Sequence, residues 1–179
     1  MELWTQVMEL REQAYILQLQ YFKNEVLFTF RWWVLILIAI VPWYIWWKLV
    51  DKKQLVKITM FGLFNLVIIL ILDEMGTYTR LWDYKYPILP YVDISLTADI
   101  TVFTVTHILI YQYFPKWQGF IIANIILAVI LAFVMEPLGI WAGYYVPLNW
   151  EHIYSLPIYA SKALVAKWLT EIVFKMAKG

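Results

Sequence analysis

The chain has 179 residues, 63% of them hydrophobic and 15% charged, with a net charge of +1. A soluble domain carries roughly 45–50% apolar and ~25% charged residues, so this chain has too little polar surface to coat a globule in water and falls in the membrane class. The small net charge gives no footing for nucleic acid as a partner, and the absence of Cys excludes disulfides and thiolate metal sites.

From the N-terminus, Glu2, Glu9, Arg11, Glu12 and Lys23 interrupt a segment where a signal peptide needs a basic start and an apolar core. Leu10, Tyr15, Leu17, Leu19 and Phe22 among these charges predict an interfacial helix over residues 1–26, leading into a first span. Four uncharged runs follow, at 32–47, 58–72, 100–114 and 119–135, each 15 to 17 residues long. A hydrocarbon core about 30 Å thick needs ~20 helical residues. Each helix therefore extends past its flanking charges, which draws Arg31, Asp73, Glu74, Asp99 and Glu136 to the membrane boundary or just inside it.

The expected fold is all-α, a single membrane domain with five spans at 28–48, 55–76, 93–114, 118–138 and 157–176. The last holds Lys162, Lys167, Glu171 and Lys175, so a helix lying in the interface is its other reading. Lys167 and Glu171, four apart, pair on one helix face, and Lys175 reaches toward the surface. Lys48, Lys52, Lys53, Lys57, Lys116, Lys175 and Lys178 lie on one side, against Arg80 and Lys85 on the other. The lysine-rich side is expected to be cytoplasmic, with the N-terminus outside and the C-terminus inside.

The two expected outer loops echo one another. Glu74-Met75-Gly76 leads to Trp82-Asp83-Tyr84, and Glu136-Pro137-Leu138-Gly139 leads to Trp150-Glu151-His152-Ile153-Tyr154. Both fit a duplicated helix hairpin, although the abundance of Trp and Tyr leaves coincidence as the rival reading. The third span is the most polar: Asp93, Thr97, Thr101, Thr104 and His107 form one helical stripe. Thr hydroxyls there are ordinarily interhelical hydrogen bonds. A carboxylate inside a bilayer costs roughly 2.5–3.5 kcal/mol unless it is paired, protonated or functional.

Arg31 is placed to pair with Asp73 or Glu74, and Lys162 to meet Asp99 or Glu136. Two such ion pairs would be a purely structural use of these charges. More carboxylates than counter-charges remain, so Asp73, Glu74, Asp93, Asp99 and Glu136 are expected to line an acidic pocket, roofed by Trp82, Trp141, Tyr144, Trp150 and Tyr154. The same oxygens are the candidate ligands of a hard metal ion, though no dedicated metal motif occurs. His107 is a candidate proton relay or a buried His donating to a carbonyl, with Asn65 and Asn124 as polar neighbours.

No nucleophile elbow and no phosphate-cradling glycine loop occurs, and no cofactor is indicated. Acid–base chemistry by paired carboxylates stays open.

Several motifs carry a resemblance. They are Phe28-Thr29-Phe30-Arg31-Trp32-Trp33, Pro42-Trp43 with Trp46-Trp47-Lys48, Leu72-Asp73-Glu74-Met75-Gly76, Tyr111-Gln112-Tyr113-Phe114-Pro115-Lys116-Trp117, and Glu136-Pro137-Leu138 with Asn149-Trp150-Glu151-His152. Over nearly its whole length the chain resembles an uncharacterised multi-pass membrane protein family of spore-forming Bacillus and Clostridium relatives, named after a Clostridium botulinum locus. The resemblance implies a bacterial cytoplasmic-membrane protein of four to five spans and carries no activity with it. In layout the chain is also similar to small membrane cyclases of carotenoid synthesis, which place carboxylates at helix ends.

The expected function is binding, sensing or passing a small cation or a cationic or lipid ligand at the outer leaflet. A membrane-embedded enzyme acting on an isoprenoid or lipid, and an assembly subunit of a membrane complex, are the alternatives. The bilayer is the expected partner. No Gly-x-x-x-Gly face occurs in the spans to support a homo-oligomer.

Overall fold

A computed structural model of the chain describes residues 2–92 and 95–177. Asp93 and Lys178 lie outside the described residues. The chain is mainly helical, in keeping with an all-α membrane protein. Helix α1 (Leu3–Tyr21) runs on through a π turn to Val26, and only Phe22 and Val26 of this stretch are buried.

Thr29 opens α2 (Phe30–Leu49), its Oγ accepting the Trp32 N–H at 3.3 Å. Next come α3 (Leu55–Tyr78), strand β1 (Trp82–Tyr84), a π turn at Thr97–Phe103 continuing as α4 (Thr104–Tyr113), and α5 (Trp117–Ile130). A π turn at Leu131–Met135 joins α5 to α6 (Glu136–Trp141). Strand β2 (Tyr145–Pro147) and α7 (His152–Met176) complete the chain.

Among the described residues three helical stretches are long and apolar enough to cross a membrane: Phe30–Leu49, Lys52–Tyr78 and Trp117–Trp141. The other two expected spans are helical but differ in character. The Thr97–Phe103 turn and α4 together hold only seven plus ten residues. Helix α7 is 25 residues long and carries four charged side chains. It packs against α3 and α5, while α4 packs against α3, and α2 lies on the π turn ahead of α4. The more polar helices thus sit among the apolar ones.

The bundle has two distinct ends. At the lysine end, Gln112 accepts the Asp51 N–H at 2.8 Å and donates to Leu49 O at 3.0 Å, tying the α2–α3 connection to the end of α4. Lys167 is almost wholly covered there. It donates to Pro115 O at 2.8 Å, pairs with Glu171 at 3.5 Å, and lies over the rings of Tyr111, Trp117 and Phe120.

At the other end β1 and β2 form an antiparallel ribbon, with Trp82 opposite Pro147, Asp83 opposite Val146 and Tyr84 opposite Tyr145. The helices entering this ribbon stop in the same way. Leu81 N–H bonds to Gly76 O and Arg80 N–H to Thr77 O; Tyr144 N–H bonds to Gly139 O and Gly143 N–H to Ile140 O. Both are left-handed C-terminal caps, with φ of 61° at Arg80 and 78° at Gly143. Gly143 takes that conformation freely, whereas Arg80 bears the clash of its Cβ.

Candidate functional site

The ribbon folds over the ends of α3 and α7 and borders a partly open cavity of about 220 Å³. Asp73 projects into it from the last turns of α3, nine residues before the first residue of the ribbon. Three donors converge on this carboxylate: Trp82 Nε1 at 2.8 Å and the Tyr84 hydroxyl at 2.6 Å on Oδ1, and the Ser95 backbone N–H at 3.0 Å on Oδ2. One acid therefore orients both inward-facing residues of β1 and the start of the third polar segment. Gly76 makes this possible. A Cβ there would stand 2.0 Å from the Trp82 ring, so only glycine lets the indole reach Asp73.

Asp99 comes from the π turn ahead of α4. It is 2% exposed and lies beside Asp73, within hydrogen-bonding reach of its carboxyl group. Among the described residues its Oδ2 has no hydrogen-bond partner. Lys162 enters from α7, also buried. Its Nζ lies 4.7 Å from the ring centres of both Phe103 and Tyr159 and within electrostatic reach of Asp99 and Asp73. Two carboxyl groups so close need a proton or a cation between them.

Most of the remaining wall is apolar or aromatic, including Ile69, Leu72, Met75, Trp150 and Ile158. Trp150 meets Trp82 edge to face at 4.9 Å and donates to Ser155 Oγ at 2.8 Å. Burial in front of Asp73 pushes the Tyr84 phenol well above its usual 10.0. Burial, with the charges of Glu136 and Asp73 adding to it, also raises Tyr145.

Glu136 lies behind the cavity wall. The Tyr159 hydroxyl donates to its Oε1 at 2.8 Å and His152 Nδ1 meets its Oε2 at 2.6 Å. Tyr159 thus has one face under Lys162 and its hydroxyl on Glu136. His152 is at the surface, with its side chain 33% exposed, so a chain of polar contacts links the cavity to the exterior through Tyr159 and Glu136.

The other expected site residues are placed elsewhere. Glu74, one residue past Asp73, is turned outward and exposed. Arg31 pairs with neither Asp73 nor Glu74: its guanidinium donates to Tyr86 Oη at 2.8 Å and lies over that ring at 4.8 Å. Lys162 makes no ion pair within 4.0 Å among the described residues, because the Phe103 and Tyr159 rings hold its ammonium.

Of the expected roof, Trp82 and Trp150 line the cavity. Trp141 is 86% exposed; Tyr144 packs on Tyr86 and donates to Arg31 O; Tyr154 is exposed with its ring against Trp150. Asp93 lies outside the described residues. His107 is buried deeper, its Nδ1 2.5 Å from Phe103 O. Among the described residues no three Asp, Glu or His side chains gather as a metal ion would require.

Two contributors escape a reading by residue type. Tyr84 and Tyr159 act through their hydroxyls, and in a chain with 13 tyrosines nothing marks them. The usable signal for Tyr159 is its place three residues before Lys162, on the same helix face. No protein-family model, no curated protein and no solved structure matches this chain, so its function is read from this geometry.

Proposed function

We propose that the chain is a five-span protein of a bacterial cytoplasmic membrane, with the ribbon end outside, and that its Asp73–Asp99–Lys162 cavity binds a small amphipathic cation. The observation that carries this reading is the free Asp99 Oδ2, buried beside a second carboxyl group. Asp73 is already engaged by three donors, and one ammonium faces two acids, which leaves room for one further positive charge. Trp82, Trp150 and Tyr159 give the cavity aromatic lining that suits such a charge, and the apolar wall suits a short hydrocarbon group. At about 220 Å³ the cavity lies below the roughly 300–1,000 Å³ of drug-sized sites, so the guest is small.

The five-span reading is supported by packing. Helices α4 and α7 lack the apolarity of the other three because their polar faces turn inward, toward α3 and α5. Lys48, Lys52, Lys53, Lys57, Lys116 and Lys175 gather at the far end, which favours a cytoplasmic position for it. Helix α1, with Leu3, Trp4, Leu10 and Leu17 all exposed, fits the outer interface.

The duplicated hairpin is supported by one offset. Adding 63 carries Asp73 to Glu136, Gly76 to Gly139, Arg80 to Gly143 and Trp82 to Tyr145, and the ribbon pairing is symmetric under the same shift.

Butylammonium titrated into the full chain in lipid nanodiscs, followed by calorimetry, tests the reading. Binding is expected for the natural sequence and for Glu74→Gln, and is expected to vanish in Asp99→Asn. Equal binding by Asp99→Asn would overturn it. A second reading, acid–base catalysis on an isoprenoid or lipid, is favoured by two neighbouring carboxyl groups, Asp73 and Asp99, on the wall of a largely apolar cavity. Asp99-dependent rearrangement of an isoprenoid alkene, without butylammonium binding, would select it.

A further inference from the structure

Beneath the cavity the bundle interior is layered. Phe61 of α3, Tyr111 of α4 and Phe120 of α5 meet ring to ring, with centroids 4.2, 5.9 and 6.1 Å apart. Lys167 of α7 lies over two of these rings, at 4.9 and 4.8 Å. These contacts bring the inward faces of four helices together at one level. Helices α3 and α5 run toward the ribbon while α4 and α7 run away from it. A four-residue step toward the ribbon therefore reaches Asn65, His107, Asn124 and Ala163, one level up and about 6 Å along the axes. All four are buried, none more than 1% exposed.

This level is polar and unsatisfied. Among the described residues neither side-chain atom of Asn65 nor Asn124 Oδ1 has a protein partner. Nδ1 of His107 lies 2.5 Å from Phe103 O, the ring also meets the Tyr159 carbonyl, and the Asn124 amide donates to Phe120 O. The Asn65 amide and Asn124 Oδ1 are thus left unpartnered at the level of the small Ala163. Buried polar groups pair with protein or with ordered water, and a molecule that both donates and accepts completes this set. The neighbouring unpartnered atoms extend the line. Asp99 Oδ2 lies toward the ribbon and the Tyr111 hydroxyl toward the lysine end, about 18 Å apart along their segment. Lys162, within electrostatic reach of both Asp99 and His107, stands between the cavity and the polar level. Lys167 and the half-exposed Glu171 stand at the far end.

We propose that the Asn65–His107–Asn124 level binds water and, with Asp99 and Lys162 on one side and Tyr111 and Lys167 on the other, forms a proton path through the bundle. The water, the Asp99 carboxyl and the Tyr111 hydroxyl each release a proton on one side as they accept one on the other, the asparagine amides hold the water in place, and each lysine passes on its own proton before it takes up another. One proton leaves for each that enters, and nothing is oxidised or reduced. The path rests on the membrane-spanning part of the function proposed above and not on its ligand.

The full chain in liposomes with a trapped pH-sensitive dye, driven by a potassium gradient and valinomycin, tests this. Proton flux is expected to exceed that of empty liposomes by at least about tenfold, and the Asn65→Leu, Asn124→Leu double variant is expected to lose that excess. Tyr111→Phe, which removes a single hydroxyl, is expected to lose most of it as well and serves if the double variant does not fold. Butylammonium binding by the double variant should stay unchanged, since neither Asn lines the cavity; this separates failure of the path from failure of the site. Flux no greater than in empty liposomes, or undiminished flux in the folded variants, would overturn the proposal.

Discussion

Asp73 and Asp99 sit side by side, yet their removal should have unequal consequences for stability. Asp73→Ala takes the acceptor from three donors at once: the Trp82 indole at 2.8 Å, the Tyr84 hydroxyl at 2.6 Å and the Ser95 amide at 3.0 Å. A buried donor left without a partner costs about 1–3 kcal/mol, so the three together set a range of roughly 3–9 kcal/mol. Water entering the enlarged cavity re-satisfies part of the loss and places the expected value near the lower bound, about 3 kcal/mol. For a chain of this length that corresponds to a fall in Tm of roughly 6–12 °C. Asp73→Asn keeps one oxygen but turns an N–H toward one of the donors, and should fall between Asp73→Ala and the natural sequence.

Asp99→Asn breaks no protein hydrogen bond at Oδ2, because none is made there. It should stay within about 1 kcal/mol of the natural sequence while losing the butylammonium binding proposed above. Thermal unfolding of all variants in one detergent, followed by tryptophan fluorescence, gives the comparison. If Asp99→Asn melts as early as Asp73→Ala, or Asp73→Ala melts with the natural chain, the division into a structural and a free acid is refuted.

Three further outcomes follow from local geometry. Gly76→Ala drives a methyl into the Trp82 ring, expels the indole from Asp73, and is expected to cost about 1–3 kcal/mol with a shift in tryptophan emission. Arg80→Gly relieves a left-handed cap and should gain about 1 kcal/mol in thermal unfolding, with Gly143→Ala losing a similar amount; the exposed Arg80–Asp83 pair is too weak to reverse the sign. Because Tyr84 is raised in the folded state above its unfolded value of 10.0, it contributes stability below pH 10 that is lost as pH climbs toward the folded value; its phenolate absorbance should appear only after the exposed tyrosines have titrated.

The helices were legible because burying apolar residues demands long runs of them. The acids at the helix ends were legible because a span of about 20 residues has to absorb its flanking charges. Which acid faces inward was not. Asp73 and Glu74 are adjacent in sequence but about 100° apart around the helix, so one is buried and the other exposed, a choice made by the phase of α3 against α7. Arg31 illustrates a second limit. Charge suggested a carboxylate partner, yet the long β1–α4 loop brings Tyr86 within 2.8 Å first. Residue types define which pairings are favourable, while loop paths decide which are reachable.

The repeat shows both the reach and the limit of pattern reading. Matching Glu74 to Glu136, and Trp82 to Trp150, follows residue identity, whereas the backbone matches Asp73 to Glu136 and Trp82 to Tyr145. Hydrogen bonds set that alignment: two caps ending at equivalent glycines and a ribbon whose register maps onto itself under a shift of 63. With the halves aligned, their difference becomes informative. Glu136 is closed by Tyr159 and His152, whereas the acid at its counterpart position, Asp73, faces a cavity and a second acid with a free oxygen. A fold held together only by charges would be expected to close both positions alike. The half that stays open is the one that takes Asp99 from α4 and Lys162 from α7, and so the chemistry concentrates where the two hairpins depart from their symmetry.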